Sequence, residues 1–268
     1  MKKFLSITFV FAFIATLLAA SASASIPNLL NLKSIDKIVD ISNIPEISGD
    51  FAIRGRQDLR VRVFVHGPKA GNHTQQATSL ICEDSRSGAV VGGAGWKLTT
   101  SAPVKYKLNQ SSAPSSVRSS VPTFVSTSFN KWTAAITLDG TTSAKPNLAY
   151  DGLTSVSRSR FDSQNIIAWG RTNRSTLGAT YIWYYTATGI VAEVDTIMNN
   201  RISWNLTCST GYYNAENIMI HELGHWFGLD DEYDSPYVEN TMFGYGSKGE
   251  IKKISPEQGD IDGLNIIY

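Results

Sequence analysis

Several stretches of the chain alternate apolar and polar residues with the period of two that is typical of half-buried β-strands. This alternation, with short apolar runs bounded by turn residues, predicts strands over residues 60–66, 103–108, 166–169, 178–185 and 190–195. The strands fall on both sides of a polar, glycine-rich stretch, which suits a loop or linker.

Two segments have the apolar spacing of a helix face instead. In the first, Pro122 is costly in a helix interior, so this helix is expected either to begin near Ser120, with Pro122 in its first turn, or to kink at that residue. The second is expected to begin near Asn214, a favourable N-cap residue. Its apolar residues would pack on a sheet and leave its polar face toward a cleft. This order of elements predicts an α+β fold, an α/β-type sandwich with a twisted, mixed sheet.

The polar face of the second helix carries the candidate chemistry, in the run His-Glu-Leu-Gly-His-Trp-Phe-Gly-Leu-Asp-Asp of residues 221–231. His221 and His225 are four residues apart, so both imidazoles leave one helix face and can bind one metal ion beside Glu222. A glycine turn at Gly228 can bring Asp231 back as a third ligand. Three protein ligands leave one zinc position open for water, as in catalytic sites.

Two alternatives to this ligand set stay open at the level of sequence. A shift of one residue in the turn would present Asp230 in place of Asp231, although the spacing favours Asp231. A bare His-Glu-x-x-His match also occurs on helix surfaces that bind no metal.

The motif continues to an acid at its eleventh position, and Met242 follows in a Thr-Met-Phe-Gly-Tyr segment. Together these features resemble the metzincin metalloproteases, in which a methionine turn lies beneath the zinc ligands. The closing residues 254–268 and the strand segments upstream look most like the prokaryotic matrixin branch, and the resemblance covers residues 97–268. The chain departs from most matrixins at Asp231, where they carry histidine, although snapalysin-like bacterial metzincins use aspartate there.

The resemblance implies a zinc-dependent endopeptidase with one catalytic zinc ion and with protein or peptide substrates. Glu222 would activate the zinc-bound water that hydrolyses the peptide bond, and Met242 would form the methionine turn. The strand that holds Ala179 and Thr180 would bind an extended peptide by strand addition. Tyr245 is a candidate oxyanion donor or packing residue, and Asp260 a candidate support for the floor of the site. A non-catalytic, zinc-containing binding or adhesion module is the alternative.

Residues 1–24 have the organisation of a signal peptide, with two lysines, an apolar stretch over residues 4–20 and small residues at 22–24. The sequence therefore predicts a protein that is secreted, or held in the periplasm or cell envelope, without a stable membrane anchor. Residues 25–96 are interpreted as a pro-segment or small N-terminal domain, and residues 97–268 as the catalytic domain. A monomer is expected.

The remaining candidate groups have less support in the sequence. Cys82 and Cys208 permit one disulfide in an exported chain or are inert thiols, and the resemblance also allows Cys82 to be a zinc-blocking thiolate. His66 and His73 are interpreted as solvated loop histidines. Calcium is a second candidate cofactor without support, because no calcium-loop spacing is present. Four aspartates could offer it oxygen ligands but are interpreted as solvated turn residues: Asp139, Asp151, Asp162 and Asp195. A net charge of +1 and 18% charged residues give no basic stripe for nucleic acid.

Overall fold

The structure is a computed structural model that describes residues 37–68, 80–138 and 144–268, so the predicted signal peptide and His73 lie outside the described residues. Its strands, in chain order, are β1 (Ile38–Val39), β2 (Gly49–Ile53), β3 (Arg56–Pro68), β4 (Val104–Leu108), β5 (Leu148–Leu153), β6 (Asn165–Gly170), β7 (Gly178–Tyr185), β8 (Val191–Asn199), β9 (Trp204–Asn205), β10 (Tyr213–Asn214) and β11 (Tyr245–Gly246). The helices are α1 (Val121–Ala135), α2 (Ala215–Trp226) and α3 (Gln258–Ile267). The mixed α+β character predicted from the sequence is confirmed.

Within the described ranges, nine strands form one mixed sheet in the order β1-β2-β3-β7-β8-β6-β4-β5, with β11 added beside β3. Strands β2, β3, β7 and β8 pair antiparallel, whereas β8, β6, β4 and β5 pair parallel. The short strands β9 and β10 form a separate pair. The candidate site lies beside the antiparallel half of the sheet.

Both predicted helices begin where the sequence indicates. In α1, Pro122 occupies the opening turn, where its missing N–H removes no helical hydrogen bond. In α2, the Asn214 side chain caps the helix by accepting a hydrogen bond from the Asn217 N–H. The α2 cap fixes the start of the helix that carries both candidate zinc-binding histidines.

The sheet buries apolar residues on both faces. One face packs on α1 and α2 in a large cluster that includes Phe64, Trp132, Trp169 and Trp226. The other face has a smaller cluster, to which β3 contributes Leu59, Val61 and Val63 and to which β7 contributes Ala179, Tyr181 and Trp183. No helix in the described ranges is long and apolar enough to cross a membrane.

Strand β3 belongs to the predicted N-terminal segment, yet it lies inside the same sheet as the strands that follow residue 97. It pairs antiparallel with β7 over eight residue pairs, from Leu59 opposite Tyr185 to His66 opposite Gly178. Since β8 occupies the other side of β7, the edge of β7 that we expected to receive a peptide is already paired. Removal of residues 25–96 during maturation stays a prediction.

Cys82 and Cys208 form a disulfide, with 5.4 Å between their Cα atoms. A bonded Cys82 has no thiolate to offer to a metal, so a zinc-blocking role for this cysteine does not apply in this state. The bridge joins the segment after β3 to the segment before α2, over a sequence separation of 126 residues.

We expect the double variant Cys82→Ala/Cys208→Ala to lose about 2–5 kcal/mol of unfolding free energy, because the bridge restricts the unfolded chain. Equilibrium denaturation of the oxidised parent and the variant measures this difference. Thiol titration of the unfolded, unreduced parent is the control, and two reactive thiols there would contradict the disulfide.

Candidate metal centre

Helix α2 carries His221 and His225 one turn apart, so both side chains leave the same face, as the spacing predicts. The helix ends at Trp226, and Gly228 then adopts a positive φ of 102°. A Cβ at this position would also collide with the Trp96 carbonyl oxygen. Only glycine combines this conformation with so close an approach, and the turn brings Asp231 back to the two histidines.

Three ligand atoms converge at this point. Asp231 Oδ1 lies 3.1 Å from His221 Nε2 and 3.6 Å from His225 Nε2. Ligand atoms around a tetrahedral zinc are about 3.3–3.6 Å apart when its bonds are about 2.0–2.2 Å long. The three side chains therefore have the spacing of a three-ligand zinc site, and they form a possible metal-binding group.

The hydrogen bonds of the two imidazoles direct their other nitrogens at the same point. His221 Nδ1 lies 2.8 Å from the Thr241 carbonyl oxygen, and His225 Nδ1 lies 2.9 Å from the Leu229 carbonyl oxygen. A carbonyl can only accept, so each Nδ1 donates and each Nε2 keeps a free lone pair. Neither Nε2 has a hydrogen-bond partner among the described residues, and nor does Asp231 Oδ1. The donor set fits a zinc ion.

Burial sets the protonation states of these groups. It lowers the pKa of His225 to about 3 and brings the pKa of His221 well below its usual range, so both imidazoles are neutral near pH 7. Burial also raises the pKa of Asp231, and His225 opposes that rise. Neutral imidazoles beside a buried carboxylate are the forms that bind zinc.

The structure distinguishes the two candidate aspartates. Asp231 Oδ2 accepts a hydrogen bond from Tyr233 Oη at 3.0 Å, which holds Oδ1 toward the histidines. Asp230 instead pairs with Arg62, at 3.2 Å, and accepts a hydrogen bond from the Asp231 N–H. The spacing argument for Asp231 therefore agrees with the geometry, whereas Tyr233 had no recognisable signal in the sequence.

Glu222 is fully buried beside the histidines. Thr180 Oγ1 donates to Glu222 Oε2 at 2.6 Å and is itself 2.8 Å from Thr196 Oγ1. Burial raises the pKa of Glu222 to about 8, against the opposing effect of the Thr180 hydrogen bond. Of the two β7 residues proposed to bind substrate, Thr180 thus contacts Glu222, whereas Ala179 packs in the apolar cluster of the opposite face.

The segment after α2 forms a buried floor. Met242 has no exposed surface, and its sulfur packs directly against Gly224 of α2. The Asp260 carboxylate accepts hydrogen bonds from the backbone N–H groups of Thr241 and Met242, at 2.9 and 3.1 Å, which confirms the expected support from this residue. The buried Lys253 ammonium donates to the carbonyl oxygens of Phe243 and Tyr245 and fixes the following loop.

Two further side chains of the site come from β3 and were not predicted. Phe64 stacks on His225 with ring centroids 3.7 Å apart, and His66 meets His221 edge-on at 4.0 Å. The interpretation of His66 as a solvated loop histidine is wrong, because it has no exposed surface. His66 alternates with Phe64 along a predicted strand, and this pattern was the sequence feature that could have indicated a buried position for His66.

These two rings also change the expected surroundings of the site. His221, Glu222 and His225 have no exposed surface, so α2 does not present them to an open cleft as the sequence suggested. Tyr245 packs its ring on Tyr233 and Phe243, in agreement with the packing alternative.

The aspartates considered for calcium do not behave alike. Asp195 is fully buried in the sheet and accepts hydrogen bonds from the backbone N–H groups of Arg160 and Ile166, so it is not a solvated turn residue. Asp151 pairs with Lys107 at 3.1 Å, and Asp139 lies outside the described residues. Backbone N–H groups therefore contact the Asp195 carboxylate, and the Lys105 and Lys107 ammonium groups contact the Asp151 carboxylate.

A comparison with models of known protein families finds no match for this chain. A comparison with curated proteins finds no match either.

The close contact between α2 and Met242 gives a test of the floor. A Cβ at Gly224 would overlap with the Met242 sulfur and lie 2.9 Å from Trp132 Cζ2. We expect Gly224→Ala to lower the unfolding free energy by about 1–3 kcal/mol through overpacking. Gly211→Ala is the matched control because a Cβ there meets nothing within 4 Å, and equal losses in both variants would contradict this packing.

The two aspartates give a test of the ligand set. We expect Asp231→Asn to weaken zinc binding by at least about 100-fold, because loss of an outer hydrogen-bond partner alone typically costs about 10- to 100-fold. Asp230→Asn should weaken it much less, since its carboxylate pairs with Arg62. Competition with a chromogenic zinc chelator measures both affinities, and a larger loss in Asp230→Asn would identify Asp230 as the ligand.

Proposed function

We propose that this protein is an exported zinc-dependent endopeptidase of the metzincin type, which resembles prokaryotic matrixins but has aspartate as the third ligand. One observation carries the proposal: two imidazole nitrogens and one carboxylate oxygen, all buried and unpartnered, converge at zinc-ligand spacing. Without a cation, such groups would remain desolvated and uncompensated, which is costly. The disulfide is compatible with the export that the N-terminal residues predict.

The roles of the residues follow from their contacts. Zinc held by His221, His225 and Asp231 would supply a Lewis acid and lower the pKa of water at its open position. Glu222 would take a proton from the attacking water and return it to the leaving amine. The Thr180 hydroxyl donates to Glu222 Oε2 and orients the carboxylate for this exchange.

Met242 and Asp260, in and beneath the buried floor that follows α2, would hold the zinc ligands in place. Asp260 fixes the backbone of Thr241, whose carbonyl oxygen accepts the hydrogen bond from His221 Nδ1. The chain of contacts from α3 to the imidazole sets the orientation of the ligand, a support that commonly tunes metal affinity.

The alternative is a non-catalytic, zinc-containing binding module. The complete burial of His221, Glu222 and His225 favours it, because substrates cannot reach a closed site. The position of Glu222 beside the ligands favours the enzyme, since a structural site has no use for an unliganded buried carboxylate of this kind.

The decisive variant is Glu222→Gln, which keeps the size of the side chain and the acceptor for Thr180 but removes the base. We expect it to retain zinc and to lose about 100- to 10,000-fold in cleavage of denatured casein, the usual range for a general base. Glu216→Gln, on the same helix and paired with Lys131 away from the centre, is the control. A chelator should abolish the parent activity. Casein cleavage by zinc-loaded parent protein that the Glu222→Gln variant matches in rate would contradict the proposal.

A further inference from the structure

A small pocket outside the metal centre is lined by three cationic side chains. Arg174, Arg201 and Lys248 border a space of about 220 Å³, together with Ser203, Tyr213 and two aliphatic side chains. Among the described residues, no acidic side chain belongs to this lining. The whole chain has a net charge of only +1, so the concentration of positive charge in the pocket does not follow from a generally basic surface.

The three cations of the pocket form no ion pair within the described ranges. Arg60, by contrast, pairs with Asp50 at 3.1 Å. Arg174 and Arg201 are exposed, so an anion from solvent can reach them. Charges of one sign that line a concave surface focus the potential there and raise the local concentration of counter-ions. The pocket therefore attracts anions.

Two carboxylates lie near the pocket but are already engaged. Glu46 Oε1 accepts hydrogen bonds from the Asn173 N–H at 2.8 Å and from the Thr176 hydroxyl at 2.6 Å. Glu250 follows the loop of Lys248 but is only 3% exposed, and Asn217 Nδ2 lies 3.5 Å from its Oε1. Neither carboxylate lines the pocket, so neither takes the place of an external anion.

The two turns that carry the arginines are fixed by one buried amide. Asn199 Nδ2 donates to the carbonyl oxygens of Asn173 and Thr176, at 3.0 and 2.7 Å, and so holds the turn of Arg174. Asn199 Oδ1 accepts a hydrogen bond from the Arg201 N–H at 2.9 Å. Because Asn199 has no exposed surface, the backbone of both arginines is positioned before any ligand binds, which lowers the entropic cost of binding.

Lys248 and Tyr213 form another part of the wall. Lys248 Nζ lies 5.9 Å from the centroid of the Tyr213 ring, and the neighbouring Gly249 N–H donates to the Tyr212 carbonyl oxygen at 3.1 Å. These contacts hold the loop of Lys248 against the segment that precedes α2. Burial raises the pKa of Tyr213 to about 12, so its hydroxyl keeps its proton near neutral pH and can donate a hydrogen bond.

The chemistry of the lining selects the kind of anion. Guanidinium groups offer forks of N–H donors that match oxyanions, whereas an ammonium group acts as a point charge. Two forks and one ammonium suit a group with two negative charges and several acceptor oxygens. We propose that this pocket binds a phosphate dianion, free or as a monoester, with Arg174 and Arg201 as hydrogen-bond donors and Lys248 as a charge. Binding here goes beyond the proposed function and does not depend on it, since no candidate zinc ligand lines the pocket.

Calorimetric titration with inorganic phosphate tests the pocket, in the full chain after the predicted signal peptide, at low salt and about pH 8. We expect saturable binding to a single site. Arg174→Gln and Arg201→Gln should each weaken it by at least about 10-fold, because a hydrogen bond to a charged group typically contributes that factor or more. Both side chains are exposed, so the variants are expected to fold as the parent does.

Arg171→Gln is the matched control, because Arg171 is exposed on the same loop as Arg174 but does not line the pocket. It removes the same charge and should change the affinity by less than about 2-fold, since salt screens distant charges. Leu177 lines the pocket and precedes Gly178, which packs closely against Glu222. Titrations of zinc-loaded and chelator-treated protein therefore test whether phosphate binds a metal ion instead, and the two affinities should be equal.

Three results would overturn the inference: a parent without saturable phosphate binding, equal losses in Arg171→Gln and Arg174→Gln, or binding that requires zinc. Acetate carries one charge and should bind at least about 10-fold more weakly than phosphate, so equal affinities would contradict a dianion site.

Phenyl phosphate distinguishes the two sources of the anion. If it binds more tightly than inorganic phosphate, the ligand is a phosphate group on a larger molecule, whereas weaker binding identifies the free ion. The failure of the proposed function looks different: a chain that takes up no zinc but binds phosphate contradicts the zinc peptidase and supports the pocket.

Discussion

Everything in the centre depends on a pair of hydrogen bonds from imidazole nitrogens to backbone carbonyls. His221 and His225 each use Nδ1 in this way, which fixes their tautomers and turns their Nε2 lone pairs toward Asp231. In water these lone pairs would be solvated, but here all three side chains are withdrawn from solvent. Two neutral acceptors and an anion that face one point form a group suited to a cation.

Several separate parts of the fold position the three converging side chains. The cap at Asn214 sets where α2 begins, and Gly228 sets where the chain turns back. The carbonyl that His221 needs belongs to Thr241, whose backbone N–H donates to Asp260 of α3. The carbonyl for His225 comes from Leu229, in the turn itself. Three separate segments of the chain therefore have to be in place before the ligands converge.

The sequence predicted the parts of this arrangement that arise from local rules. The four-residue spacing of His221 and His225, the glycine turn and the N-cap all act within one or two helical turns, so they can be recognised without a structure. The strands β4, β6 and β7 were recognisable for the same reason, from their alternating pattern. Asp260 was anticipated only through the resemblance to matrixins.

What the sequence did not predict depends on contacts between distant segments. Tyr233 donates to Asp231 and had no recognisable signal in the sequence, whereas Thr180 was expected to bind substrate and instead donates to Glu222. His66 lies 155 residues before His221, and only the pairing of β3 with β7 brings the two rings together. An alternating strand shows which residues share a face, but it does not show which sheet the strand joins.

X-ray absorption at the zinc edge of the zinc-loaded protein tests the central claim most directly, because it reports the ligand atoms themselves. The account predicts one zinc per chain, with nitrogen and oxygen neighbours at about 2.0–2.2 Å and the outer scattering of two imidazoles. A sulfur neighbour at about 2.3 Å, or a shell of oxygen atoms without imidazole scattering, would contradict the ligand set of His221, His225 and Asp231.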